Sequence, residues 1–157
     1  MAAVARETWA GLAARGAARQ VEFAVDADDP APIEVMADAD ALRQVLTNLL
    51  DNALRYTPPG GKIICRARRE GESVVVSVSD TGSGIGSDHL SRIFERFYSA
   101  DASRSRDEGG TGLGLAIVKH LVEAHGGQVR ATSELGRGTT ISASFPANAG
   151  ATLEGNG

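Results

Sequence analysis

The chain reads as an α/β protein, a two-layer sandwich in which a mixed, mostly antiparallel sheet packs on about three helices. Three observations predict this. Apolar residues alternate at Val21, Phe23 and Val25 and again through 62–69, 73–79, 129–133 and 139–145, a period of two that marks half-buried strands. They recur at helical spacing through Leu42, Val45, Leu46, Leu49, Leu50 and Ala53, and again within 111–125. Four of the strands flank short turns, at Glu70-Gly71-Glu72 and Gly136-Arg137-Gly138, so they pair as hairpins.

Taken in order, residues 2–14 form a helix whose early start suggests a chain cut from something longer. Val21, Phe23 and Val25 make one short strand, and Ile33 and Val35 another. Asp38 or Asp40 can cap the next helix, because a carboxylate there accepts from backbone donors left free in the first turn. Pro58-Pro59-Gly60-Gly61 ends that helix. After the first hairpin comes a helical turn near 90–97. Residues 99–108 are charged, small and poorly patterned, which predicts a mobile segment. Residues 111–125 form a helix that opens on glycines and stops at Gly126-Gly127, and the second hairpin follows. One domain is expected over 1–146, with 147–157 as a flexible tail.

Bulk properties exclude several classes. At 157 residues, 42% hydrophobic and 23% charged, the chain is globular. A net charge of -4 argues against a general nucleic-acid binder, which would carry a basic face. The single cysteine, Cys65, lies in a strand and reads as a buried, inert thiol of a reducing compartment. No apolar run approaches the ~20 residues of a membrane span.

The stretch "NLLDNALRYT", 48–57, raises a specific question. At about 100° per residue, Leu42, Leu46, Leu49 and Ala53 share one stripe, while Asn48, Asn52 and Arg55 fall along its edge beside Tyr56. Asparagine is a mediocre helix former and is unfavourable when buried without partners. Two readings fit. The amides hydrogen-bond neighbouring loops, or their oxygens serve a hard cation such as Mg2+, which completes its shell with water and phosphate oxygens. Arg55 could then neutralise phosphate charge.

Glycine is clustered at junctions. Asp80-Thr81-Gly82-Ser83-Gly84-Ile85-Gly86 ends a valine-rich strand, and its carboxylate could accept from an exocyclic amine while glycines admit a flat ring. Gly109-Gly110-Thr111-Gly112-Leu113-Gly114-Leu115 runs straight into a helix, whose free amides and positive dipole end favour phosphate. Neither run has a Rossmann or P-loop spacing, and each alone could be a tight turn.

Together these segments resemble the catalytic ATP-binding domain of sensor histidine kinases, in the Bergerat-fold (GHKL) ATPase superfamily. "NLLDNALRYT" is similar to the N box and "DTGSGIG" to the G1 box. "IFERFY", 93–98, is similar to the F box, "GGTGLGLAIVKHLVEAHGG" to the G2 region, and "GRGTTISASFP" to the closing strand. The order and spacing agree from about Asp38 to Pro146.

The resemblance implies ATP and Mg2+ as ligands. Asn48 and Asn52 would hold the metal against the triphosphate, and Arg55 stands where the family more often has lysine. Tyr56 would flank adenine. Asp80 would read its amino group, with Gly82, Gly84 and Ile85 beside it, and Thr139 would line the adenine pocket. Arg96 would approach the terminal phosphate. Gly110, Thr111, Gly112, Leu113 and Gly114 would cradle phosphates next to a lid over 99–110, in which Arg104 and Arg106 read as solvated charge. Phe94 and Phe97 would pack the lid base.

Hydrolysing relatives carry a glutamate where Asn48 stands. A neutral amide cannot act as a general base, so slow hydrolysis and transfer to an outside nucleophile are implied. That nucleophile would be a histidine on a separate dimerisation domain, for relay to a cognate response regulator. His89, His120 and His125 lack the family's acceptor context and read as surface or packing residues. The resemblance places this cytoplasmic, monomeric domain in a longer protein of the bacterial membrane. A regulatory module that only holds nucleotide, and a hydrolytic ATPase fragment, are the alternatives.

Overall fold

Five strands pair into one sheet: β1 (Glu22–Asp26), β2 (Lys62–Glu70), β3 (Ser73–Asp80), β4 (Gln128–Glu134) and β5 (Gly138–Pro146). Their order is β1-β2-β3-β5-β4, with β1 parallel to β2 and every other pair antiparallel. The computed structural model describes residues 1–26, 33–100 and 111–147. The helices among them are α1 (Ala2–Ala10), α2 (Ala13–Ala18), α3 (Ala39–Tyr56), α4 (Ser87–Leu90) and α5 (Gly114–Ala124). None is long and apolar enough to cross a membrane.

Alternation decides which sheet face is covered. Ile63, Cys65 and Ala67 on β2, Val74, Val76 and Val78 on β3, and Ile141, Ala143 and Phe145 on β5 are buried together. The interleaved residues, such as Ser77, Ser79, Ser142 and Ser144, remain partly exposed. One face therefore meets helices and the other meets water, as expected for an antiparallel sheet. Burial pushes the Cys65 thiol up to about 12, so it stays protonated.

Against that face α3 lays Val45, Leu46, Leu49, Leu50, Ala53 and Leu54, all at most 1% exposed. Each buried leucine contributes about 1.5–3 kcal/mol. Asp38 caps the helix, its side chain accepting from Asp40 N and Ala41 N. Thr57 closes it, donating its hydroxyl to the Ala53 carbonyl at 2.7 Å. Helix α5 lies alongside, burying Val118 and Val122. Its final histidine joins the two helices: His125 Nδ1 bonds the Leu121 carbonyl, and Nε2 accepts from Asp38 N–H.

Four local expectations change. The helix over 2–14 breaks at Gly11-Leu12, because α2 must bring Gly16 beneath Trp9; a Cβ at Gly16 would lie 2.6 Å from that ring. Ile33 and Val35 form no strand, and Val35 makes only an isolated bridge to Ala147. Helical turn α4 comes earlier than 90–97, and beyond it the chain coils in turns with Arg92 N, Glu95 N and Tyr98 N each reaching three residues back. Phe97 does not pack: it is 76% exposed with φ +61°, and its N–H donates to the Gly112 carbonyl. Phe94, by contrast, packs against the core. The proposed tail and most of the lid lie outside the described residues, but Ala147 is tied to the sheet by its N–H to the Glu72 carbonyl.

Gly127 joins α5 to β4 so closely that a Cβ there would lie 1.8 Å from the Ser144 carbonyl oxygen. Backbone blocks backbone, so Gly127→Ala should lose about 1–3 kcal/mol of stability, read as a lower denaturant midpoint.

Candidate functional site

A cavity of about 640 Å³ opens between the second half of α3, the loop after β3, the β4–β5 turn and the start of α5. The polar edge of α3 supplies Asn48, Asp51, Asn52, Arg55 and Tyr56 to its wall. Asp80, Gly84 and Ile85 come from the β3 loop, Thr139 from β5, and Thr111, Gly112 and Gly114 from the entry to α5. Residues as far apart in the chain as Asn48 and Thr139 thus meet, because α3 and α5 lie side by side on the sheet that carries Asp80 and Thr139.

Asp80 ends β3 with one oxygen committed. Its Oδ1 accepts from Gly82 N at 2.8 Å and Thr139 N at 3.3 Å. Oδ2 takes no hydrogen bond from the described residues. Burial raises the carboxyl above its ordinary value, and the two backbone donors only partly oppose this. Beside it, Ser133 Oγ donates to the Gly138 carbonyl and accepts from Ile85 N. Thr139 Oγ1 lies 2.8 Å from the same oxygen and is left to donate into it, which keeps its own lone pairs available.

The glycines of this loop serve the protein first. A Cβ on Gly82 would lie 2.5 Å from the Tyr56 carbonyl, and one on Gly84, at φ +74°, would lie 2.1 Å from that of Glu134. Both positions are demanded by the chain's own packing rather than by room for a ring. Gly82 is buried and does not line the cavity.

At the opposite end, Asn48 faces the start of α5. A Cβ on Gly114 would come within 3.8 Å of Asn48 Oδ1, and Asn48 Nδ2 is buried without a partner among the described residues. Leu113 occupies the N-cap position, does not line the cavity and offers no side-chain cap, so first-turn donors of α5 are available to an anion. Among the described residues no three His, Cys, Asp or Glu side chains could hold a metal. The donor set present is the oxygens of two neutral amides, which fit a hard cation that brings phosphate oxygens with it, while the orphaned Asn48 Nδ2 is an N–H donor suited to an acceptor oxygen.

Arg55 is less free than its spacing implied. Its Nη2 pairs with Asp51 Oδ2 at 3.1 Å. Arg96 is exposed and is not among the lining residues. Gly110, Arg104 and Arg106 fall outside the described residues. His89 is an exposed residue of α4 that also lines the cavity, with Nδ1 hydrogen-bonded to the Tyr98 hydroxyl. Asp51, Ser133, His89, Tyr98 and Leu135 carried no signal of their own. Only Asp51, three and four residues from Asn48 and Arg55, could have been found by helical spacing.

A family model described as histidine kinase-, DNA gyrase B- and HSP90-like ATPase matches residues 37–149. The chain belongs to this family. Among curated members it is similar to the sensor protein SrrB of Staphylococcus aureus, 48% identical over 109 residues, which is 69% of this chain and 19% of SrrB. The chain therefore spans about a fifth of that relative's length. Among solved structures it is similar to full-length ShkA in complex with AMPPNP, with a TM-score of 0.80 and 33% identity. That match covers 92% of this chain and 29% of ShkA. The histidine kinase ThkA in complex with the response regulator TrrA aligns with a TM-score of 0.75 and 25% identity, covering 92% of this chain and 40% of that one. Within this ATPase family, the sheet and helices described above are those of histidine kinase catalytic domains.

Because the folded protein holds the Asp80 proton more tightly than the unfolded chain, this group lowers stability as pH rises from its ordinary value through its raised one, and contributes nothing below. Asp80→Asn keeps an oxygen for Gly82 and Thr139 but no titrating proton. The variant should match the parent at pH 3 and equal or exceed its stability at pH 7, as urea unfolding across that range will measure.

Proposed function

We propose that this domain binds Mg-ATP in the cavity and donates its γ-phosphate to a histidine of a separate dimerisation domain, for relay to a response regulator. One observation carries the reading. Asn48 and Asn52, one helical turn apart, line the same cavity as Asp80, and Asn48 faces the uncapped start of α5.

Asp80 Oδ2 and Thr139 Oγ1 are the acceptors suited to an exocyclic amine, with Ile85 and Tyr56 as walls for a flat ring. The start of α5 and Arg55 suit the phosphates. Asn48 and Asn52 would hold Mg2+, which when bound supplies charge neutralisation between phosphate oxygens. Asn48 lacks a carboxylate's basicity and leaves water unactivated. The incoming imidazole nitrogen would form a bond to the γ-phosphorus as the bond to the β–γ bridging oxygen breaks, releasing ADP. The ShkA neighbour's AMPPNP and the ThkA neighbour's response regulator support the nucleotide and the partner. The names of the relatives support a full-length protein that senses a signal, and a membrane setting is proposed for it with this domain on the cytoplasmic side.

Mixing the chain with its dimerisation domain and γ-labelled ATP should place label on a histidine of that domain, with little free phosphate and none on His89. Free phosphate as the main product would overturn the transfer reading. Asn52→Ala should weaken Mg-ATP by at least about tenfold, roughly 1.4 kcal/mol, in calorimetric titration. Unchanged affinity would remove Asn52 from the metal.

A further inference from the structure

The short helix α2 lies outside the cavity, yet Arg15 within it and Arg19 at its C-terminal cap reach two neighbouring residues of the cavity wall, Asp51 and Arg55. Arg15 Nη1 donates to Asp51 Oδ1 at 2.6 Å, and the other oxygen of Asp51 takes Arg55 Nη2 at 3.1 Å. Four residues on, Arg19 Nη2 donates to the Arg55 backbone carbonyl at 3.2 Å. Arg55 is thus gripped at both ends, its guanidinium through Asp51 and its carbonyl directly. That carbonyl belongs to the last turn of α3, where helical partners run out. Helix α2 is itself seated firmly, since Gly16 lies against Trp9 and Trp9 stacks on Phe23 at 4.4 Å.

We propose that Arg15 and Arg19 make α2 a positioning element for the phosphate end of the cavity, acting through Arg55. Arg15 shares the charge of Asp51. Without it, that carboxylate would hold Arg55 more tightly and present an uncompensated oxygen to the same cavity wall. With it, Asp51 orients Arg55 while opposing the negative charge of a triphosphate less. The pairs are half-exposed, with side-chain exposures of 52% for Arg15 and 31% for Asp51, so their worth to folding is small. Their effect falls on where the Arg55 charge lies.

This rests on the nucleotide reading above, and calorimetry on the full chain with Mg-ATP and with adenosine separates the two. Arg15→Gln should weaken Mg-ATP about three- to fivefold, the scale of a partly exposed ion pair, and leave adenosine unchanged. Arg15→Lys should restore most of the loss. In an Arg55→Gln background, Arg15→Gln should lose less than it does in the parent, because the route through Arg55 is gone and only the bare charge of Asp51 remains. The melting curve read from Trp9 emission should not move. Equal Mg-ATP affinity, a parallel loss of adenosine, or a full additive loss in the Arg55→Gln background overturns the positioning role. Failure of the unmodified chain to bind Mg-ATP overturns the nucleotide reading, and the role of α2 with it.

Discussion

Helix α3 can bury its leucines against the sheet in only one rotational setting. Leu46, Leu49, Leu50 and Leu54 are sealed in the core, where α3 packs on β2 and β3, and turning the helix by one residue would expose part of that face. With the stripe fixed, the edge carrying Asn48, Asn52 and Arg55 has no choice of direction. It becomes one wall of the cavity, and α5, packed alongside, becomes another. Much of the site is therefore a by-product of core packing, and the geometry of its polar groups is as rigid as the core that sets it.

The other end of the cavity is held by hydrogen bonds rather than by apolar packing. Asp80 Oδ1 ties the loop after β3 to β5, and Ser133 ties Ile85 to the β4–β5 turn. Gly84 allows that loop to press against the Glu134 carbonyl, and Ser83 accepts from Gly136 N. These contacts use one oxygen of the carboxylate and leave the second without a donor among the described residues. A group so arranged is ordered before any ligand arrives, so little conformational entropy remains to be lost on binding.

Charge is distributed along the cavity in a way that suits a long anionic ligand. The part-buried Asp80 carboxyl lies at one end, and the uncapped start of α5 with two neutral amides and a paired arginine lies at the other. Asn48, on the α5 side of the cavity, is a neutral amide without the basicity to act as a general base.

Local pattern within the chain was enough to define both hairpins, the buried stripe of α3, a cap at Asp38 or Asp40 that the fold resolves to Asp38, and the shared edge of Asn48, Asn52 and Arg55. All of these depend on residues a few positions apart, where helix and strand geometry leave little freedom. The break between α1 and α2, the outward Phe97, the pairing of Arg15 with Asp51 thirty-six positions away and the bridge through Ser133 depended on the assembled fold. So did the finding that the loop glycines answer to neighbouring carbonyls. Contacts between distant segments follow from which surfaces meet when the core closes, and local patterns carry no record of that meeting.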